Sequence, residues 1–142
     1  MPMVRGHAPR TEKLVIEGRH GSVTLGRDAY GIPHVQASSE PDAWFGMGFA
    51  SAHDRLWQME YDRRRAVGRW AEVVGPAAVP SDHLARRLQL EAAARADIAV
   101  MSEPTRAMFE AYAAGVNAFL VSGHALPVEY HLTHLTPEPW EP

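Results

Sequence analysis

The chain has 142 residues, 46% hydrophobic and 22% charged, with a net charge of −3, which is the size and composition of one globular domain rather than of a disordered tail. Fourteen basic residues interspersed with seventeen acidic ones leave no dominant basic surface, which argues against a nucleic-acid partner. The absence of cysteine removes disulfides, thiolate nucleophiles and cysteine-ligated zinc.

Residues 1–10 are polar and contain prolines, with no apolar stretch of the kind a secretory signal needs, so they read as a loose leader and the compartment stays undetermined. Order is expected from Thr11. Leu14 to Ile16 and Ser22 to Leu25 are short β-rich runs separated by Gly18 and Gly21, a pair of strands joined by a turn. Asp28 to Gly31 is the next turn. Ile32 to Ala37 follows as an edge strand, because Pro33 cannot donate a ladder hydrogen bond.

Ser38 or Ser39 caps a helix with Glu40, Pro41 and Asp42 in its first turn. Phe45, Phe49, Ala52, Leu56 and Met59 recur on one face of it. Gly46 and Gly48 each cost a helix interior about 1 kcal/mol relative to alanine, so another backbone is expected close by. A second helical piece is expected over 66–75, closed by Gly75 and Pro76 and followed by a loop to Pro80. Ser81 is then read as the cap of a helix carrying Leu84, Leu88 and Ile98. Ser102 starts a last long helix with Met108, Tyr112, Val116 and Phe119 on one face and Gly123 at its stop. Residues 124–142 read as a Pro-punctuated tail. The fold class is mainly α with a short N-terminal β unit, over one domain or fragment of 142 residues (1–10, 11–37, 38–123 and 124–142). No apolar run reaches the roughly 20 residues of a membrane span, so no membrane partner is expected.

Eight histidines invite a metal site, but His131 and His134 lack further ligands nearby, and His53 and Asp54 should point about 100 degrees apart on a helix. His34, beside Pro33, is read as fixing a turn through a ring nitrogen. The densest charge cluster runs from Asp54 and Arg55 through Glu60, Asp62, Arg63, Arg64 and Arg65 to Arg69 and Glu72. Glu60 with Arg64 and Asp62 with Arg65 have the spacing of helical ion pairs, usually solvated or interfacial supports. None of the serines sits in a Gly-x-Ser-x-Gly elbow or a Ser-x-x-Lys pattern, and no residue is assigned a catalytic, substrate-binding or metal-ligating role.

Several motifs stand in a fixed order: Arg27 to His34 (RDAYGIPH), Gly48 to Glu60 (GFASAHDRLWQME) with Arg63 and Arg64, Gly68 to Gly75 (GRWAEVVG), Ala111 to Ala118 (AYAAGVNA), Leu126 to Tyr130 (LPVEY) and Pro137 to Trp140 (PEPW). Together they resemble the start of the α chain in the penicillin acylase family. That resemblance implies an N-terminal-nucleophile hydrolase of αββα architecture, in which a precursor cuts itself and the new N-terminal serine of the β chain is the nucleophile. It further implies a β-chain partner, a small N-acyl amide substrate of β-lactam or acyl-homoserine-lactone type, and calcium in some members, bound with help from a glutamate of a later stretch. The helix that touches the acyl group would also lie beyond the Pro-x-x-Trp motif, so the chain looks short relative to a typical α chain. His53 departs from the glutamine usual before Asp-Arg. The chain's own task is then scaffolding, with Asp54, Arg55, Glu60, Arg63, Arg64, Trp57 and Trp140 as β-chain interface or structural residues. Trp44, Phe45, Phe49, Trp57, Met59, Phe119 and Trp140 are expected to bury against each other or the β chain. The alternative is a self-sufficient helical interaction domain without catalytic activity; histidine count alone would support a metalloenzyme.

Overall fold

The computed structural model describes residues 13–142, so the expected leader and the start of order at Thr11 lie outside the described residues. Three antiparallel strands, β1 (Lys13–Glu17), β2 (Ser22–Arg27) and β3 (Pro33–Gln36), form a sheet in the order β1-β2-β3. Pro33 begins an edge strand opposite Arg27, where its missing N–H costs no ladder bond. The Asp28 carboxylate shapes the turn before it, accepting from the backbone N–H of Tyr30 at 2.9 Å and of Ile32 at 3.0 Å. His34 Nε2 donates to its other oxygen at 3.1 Å, the turn-fixing role expected of this histidine.

Helix α1 (Glu40–Ala66) starts at Ser39, whose hydroxyl accepts from the Asp42 N–H. Asp42 is itself fully buried and accepts from the N–H groups of Arg19 and His20 at 2.8 and 3.1 Å, tying the β1–β2 turn to the helix start. Burial alone would raise its pKa, but hydrogen bonds from Ser39 and the turn outweigh it and hold the carboxylate ionised.

The long helix packs against the sheet on one side and against α5 (Glu103–Val121) on the other. Val23 and Leu25 of β2 meet Phe45, Phe49, Ala52 and Leu56, and Val116 and Phe119 close the core. Phe49 and Phe119 cross edge to face with centroids 5.5 Å apart; such side chains are worth about 1.5–3 kcal/mol each when fully buried. Gly48 lies under the carbonyl of Tyr112, and Gly115 of α5 lies under the carbonyl of Phe45. Each helix therefore seats the other's backbone at a glycine, the close approach expected for Gly48. Gly46 faces side chains instead, those of Val23 and Val35.

Beyond α1 the chain departs from expectation in four places, the last being a short helix within the tail. The helical piece expected over 66–75 shrinks to α2 (Ala71–Val74), because Val67 and Gly68, the latter at φ +69°, turn the chain away from α1 first. The loop to Pro80 is a 3-10 turn (Pro76–Ala78) running into α3 (Val79–Leu88), so Ser81 lies inside the first turn, and its hydroxyl donates back to the Ala78 carbonyl at 2.8 Å rather than capping. Gln89, left-handed at φ +52°, then breaks the expected helix, and α4 (Leu90–Val100) runs on separately. The expected apolar face is not buried: Leu84 and Leu88 are each 59% exposed. In the tail, α6 (Val128–Thr133) places the buried ring of Tyr130 against Trp57.

Candidate functional site

The charge cluster seen in sequence separates into two groups on α1. Arg55 has non-helical backbone angles (φ −140°, ψ 21°), and the helix kinks there. Before the kink, Arg27 reaches across from β2 and binds both Asp54 and His53, with a nitrogen 2.9 Å from His53 Nδ1. His53 Nδ1 thereby comes to lie 3.2 Å from Asp54 Oδ1, which corrects the expectation that these neighbours diverge: a shared cation draws them together. Burial would raise the Asp54 pKa, and the hydrogen bonds and charge of Arg27 lower it on balance.

After the kink, Glu60 has no exposed side-chain surface, and Arg63 and Arg64 both pair with it. A solvated or interfacial support was expected from the spacing; this pair is interior to the chain itself. Arg64, 3% exposed, also donates to Glu72 at 2.6 Å and to Glu138 at 3.1 Å. Arg69 binds the same two carboxylates, at 2.9 Å to Glu72 and 2.8 Å to Glu138. Its guanidinium holds Glu138 at about 2, well below the ordinary carboxylate value, and lowers Glu72 as well. The lattice thus alternates signs from α1 through the α2 entry to the tail, the planar-fork geometry for which arginine is suited.

The tail is held at three further points. Arg63 donates to the Pro139 carbonyl at 2.9 Å and lies 4.5 Å over the Trp140 ring. Asn117 of α5 donates to the Trp140 carbonyl at 2.9 Å and accepts its N–H at 2.8 Å. The Trp140 indole nitrogen and the Tyr130 hydroxyl are buried without a hydrogen-bond partner. Asp82 of α3 does similar work for α2, accepting from the N–H groups of Trp70 and Ala71 at 3.0 and 2.7 Å.

Of the residues singled out in sequence, Glu60, Arg63, Arg64 and Trp140 meet in this one lattice, and Trp57 packs beside it against Tyr130 and Trp70. Asp54 belongs to the Arg27 group. Arg55 joins neither and donates to the Gln58 side-chain oxygen at 3.2 Å. The expected Asp62–Arg65 pair is replaced: Arg65 donates to the Tyr61 hydroxyl at 2.7 Å and lies over its ring. Of the large apolar side chains expected to bury, Phe45, Phe49 and Phe119 are core, Trp57, Met59 and Trp140 pack against it, and Trp44 is half-buried outside that cluster, donating to Glu40. Sequence reasoning missed Glu138, Asn117 and Asp82 as partners, since each acts from a distant part of the chain. Glu138 between two prolines was the one visible signal, a charge on a segment unable to form a helix.

This arrangement fixes backbone rather than activating a nucleophile. The Ser122 hydroxyl donates to the Phe119 carbonyl at 2.7 Å, so in its 2.7 Å contact with His124 Nδ1 the ring is the donor, the reverse of a serine activated by a base. Among the described residues no three His, Asp or Glu side chains gather as a metal-holding group.

Comparison with known proteins points to one family. The sequence model of the penicillin amidase family matches residues 22–142. The chain is 48% identical over 134 residues to the penicillin acylase 2 proenzyme of Pseudomonas sp. (strain SE83), covering 94% of this chain and 17% of that protein. It is 35% identical to the penicillin G acylase of Escherichia coli (89% and 16% covered) and 38% identical to the acyl-homoserine lactone acylase QuiP of Pseudomonas aeruginosa (89% and 15%). Among solved structures, the thermostable penicillin G acylase of Alcaligenes faecalis superposes with a TM-score of 0.74 at 36% identity, over 91% of this chain and 66% of that one. The chain belongs to the penicillin amidase family. It spans about a sixth of the length of the curated relatives it matches.

Proposed function

We propose that this chain is the leading part of the α chain of an N-acyl amide hydrolase, and that it scaffolds a larger catalytic β chain cut from the same precursor. One observation carries the reading: a match over nearly all of this chain covers only 17% of a relative named as a proenzyme. The interior of the chain supports it, because its buried ionic lattice is spent on holding its own tail. In this reading the nucleophile is the N-terminal serine of the β chain, with its own α-amino group as base and backbone and asparagine donors at the oxyanion, within an αββα core. The names penicillin acylase and acyl-homoserine lactone acylase among the relatives favour N-acylated β-lactams or homoserine lactones as substrates. Calcium, if the intact enzyme holds it, takes its ligands from the rest of the precursor.

The test is native mass spectrometry of the protein expressed from the full reading frame, with penicillin G and an N-acyl homoserine lactone assayed in the same preparation. The expected result is a stoichiometric complex of two chains, the larger beginning with serine, that releases the acyl group from at least one substrate. Replacement of that serine by alanine should leave an uncut, inactive precursor. A single folded chain without hydrolysis would overturn the proposal in favour of an interaction domain.

A further inference from the structure

At one end of the sheet, where Lys13 pairs with Gly26 and Arg27 with Pro33, a cavity of about 170 Å³ opens between the strands and α1. Its floor is apolar, with Leu14 and Leu25 from the strands and Phe49 and Ala50 from α1. Every ionisable residue that lines it is basic: Lys13 and Arg27 from the strands, His53 from α1 and His124 from the segment after α5. In a chain of net charge −3 this is an uneven distribution.

Most of that basic character is already committed. Arg27 is balanced by Asp54 and donates to the Gly31 carbonyl at 2.9 Å. The two hydrogens of its Nη2 go to Asp54 and to His53 Nδ1, so the His53 ring carries its own hydrogen on Nε2, the nitrogen not engaged within the fold. His124 spends its Nδ1–H on Ser122 and acts as a wall. Its ring stacks on Phe119 with centroids 5.5 Å apart and meets Phe49 and His53 edge to face at 5.9 and 5.5 Å. Lys13 is exposed and makes no ion pair among the described residues. One unbalanced ammonium and one uncommitted imidazole N–H therefore border an apolar floor.

We propose that this cavity binds a small monocarboxylate with a compact apolar body, its carboxylate held by Lys13 Nζ and His53 Nε2–H and its body packed on Leu14, Leu25, Phe49 and Ala50. A single unmatched cation fits a single negative charge, and charge-assisted hydrogen bonds are the strong ones. A dianion such as phosphate would bring a second charge to apolar surface without a partner for it. The volume is below the roughly 300–1,000 Å³ of sites for drug-sized molecules, which selects an acid of a few carbons.

The experiment titrates the full-length protein, carrying carbon-13 at histidine Cε1, with butyrate, butyramide and inorganic phosphate at matched ionic strength. The His53 and His124 signals are assigned from His53→Gln and His124→Gln. Butyrate should move both signals saturably, and butyramide and phosphate should move neither. Lys13→Gln should weaken butyrate roughly tenfold, the loss of one charge-assisted hydrogen bond, with the melting temperature unchanged. Lys13→Arg, which keeps the charge, should restore binding and so separates charge from folding. Failure of either signal to move with butyrate, equal movement with butyramide or phosphate, an unchanged butyrate affinity in Lys13→Gln, or an equal loss in Lys13→Arg would overturn the proposal.

Discussion

Glu60 and Arg64 are the residues on which the interior depends. A buried pair adds little net stability by forming, because both ions lose water, but breaking it strands a charge. Arg64→Ala is therefore expected to cost about 3–5 kcal/mol, read as the shift in a urea unfolding midpoint. Arg64→Lys should recover little, since one ammonium cannot reach Glu60, Glu72 and Glu138 together. A contrasting outcome is expected for Tyr130→Phe. The Tyr130 hydroxyl is buried without a partner, so removing it should leave stability unchanged or raise it by up to about 1 kcal/mol in the same measurement. The acid-first spacing of Glu60 and Arg64 was legible in the sequence. Their depth was not, because it comes from Glu72 and Glu138, which lie 8 and 74 positions from Arg64.

At the scale of elements, the crossing of α1 and α5 rests on two glycines. Gly48→Ala would gain about 1 kcal/mol of helix propensity but drive a methyl group into the Tyr112 carbonyl. Gly115→Ala does the same at Phe45. Each is expected to destabilise by at least about 1–3 kcal/mol, the usual cost of overpacking. Gly26→Ala, with open space around the added carbon, should be close to neutral. A neutral result at Gly48 in thermal unfolding would count against the close crossing. The existence of both helices, their caps at Ser39 and Ser102 and the glycine seat were all readable from spacing. The kink at Arg55 was not, since no proline or glycine marks it. Nor was the break at Gln89, a left-handed glutamine between leucines with no local turn signal.

For the molecule as a whole, the tail is coupled to the body by charge, which makes its docking depend on pH. The Arg69 guanidinium lowers the Glu138 carboxyl from 4.5 to about 2. With the folded value below the unfolded one, the stabilisation is fully present above pH about 4.5 and is lost as pH falls from there through about 2. Exchange protection of the Trp140 amide, corrected for the intrinsic rate, should fall across that window. In Glu138→Gln that step should be absent and protection lower throughout; an unchanged profile would show that the tail is held without Glu138. Sequence reasoning placed the tail as Pro-punctuated loop and found the Trp140 motif. It could not say that the tail folds back on α1 and α5, because prolines remove helix as an option without naming a partner.

The Asn117 amide treats Trp140 as a strand neighbour would, giving and taking one backbone bond at the same residue. Such a contact reads the main chain and is blind to side-chain identity, so by itself it would let the tail slide. The prolines prevent this. Pro139 and Pro142 have no N–H to offer, which leaves Glu141 as the sole adjacent residue able to replace Trp140 between them. A slip to Glu141 would turn the indole away from Arg63 and put a carboxylate where the ring now packs. The spacing of prolines around one tryptophan thus works as a ratchet tooth, setting which residue is gripped and therefore the point from which any following polypeptide departs.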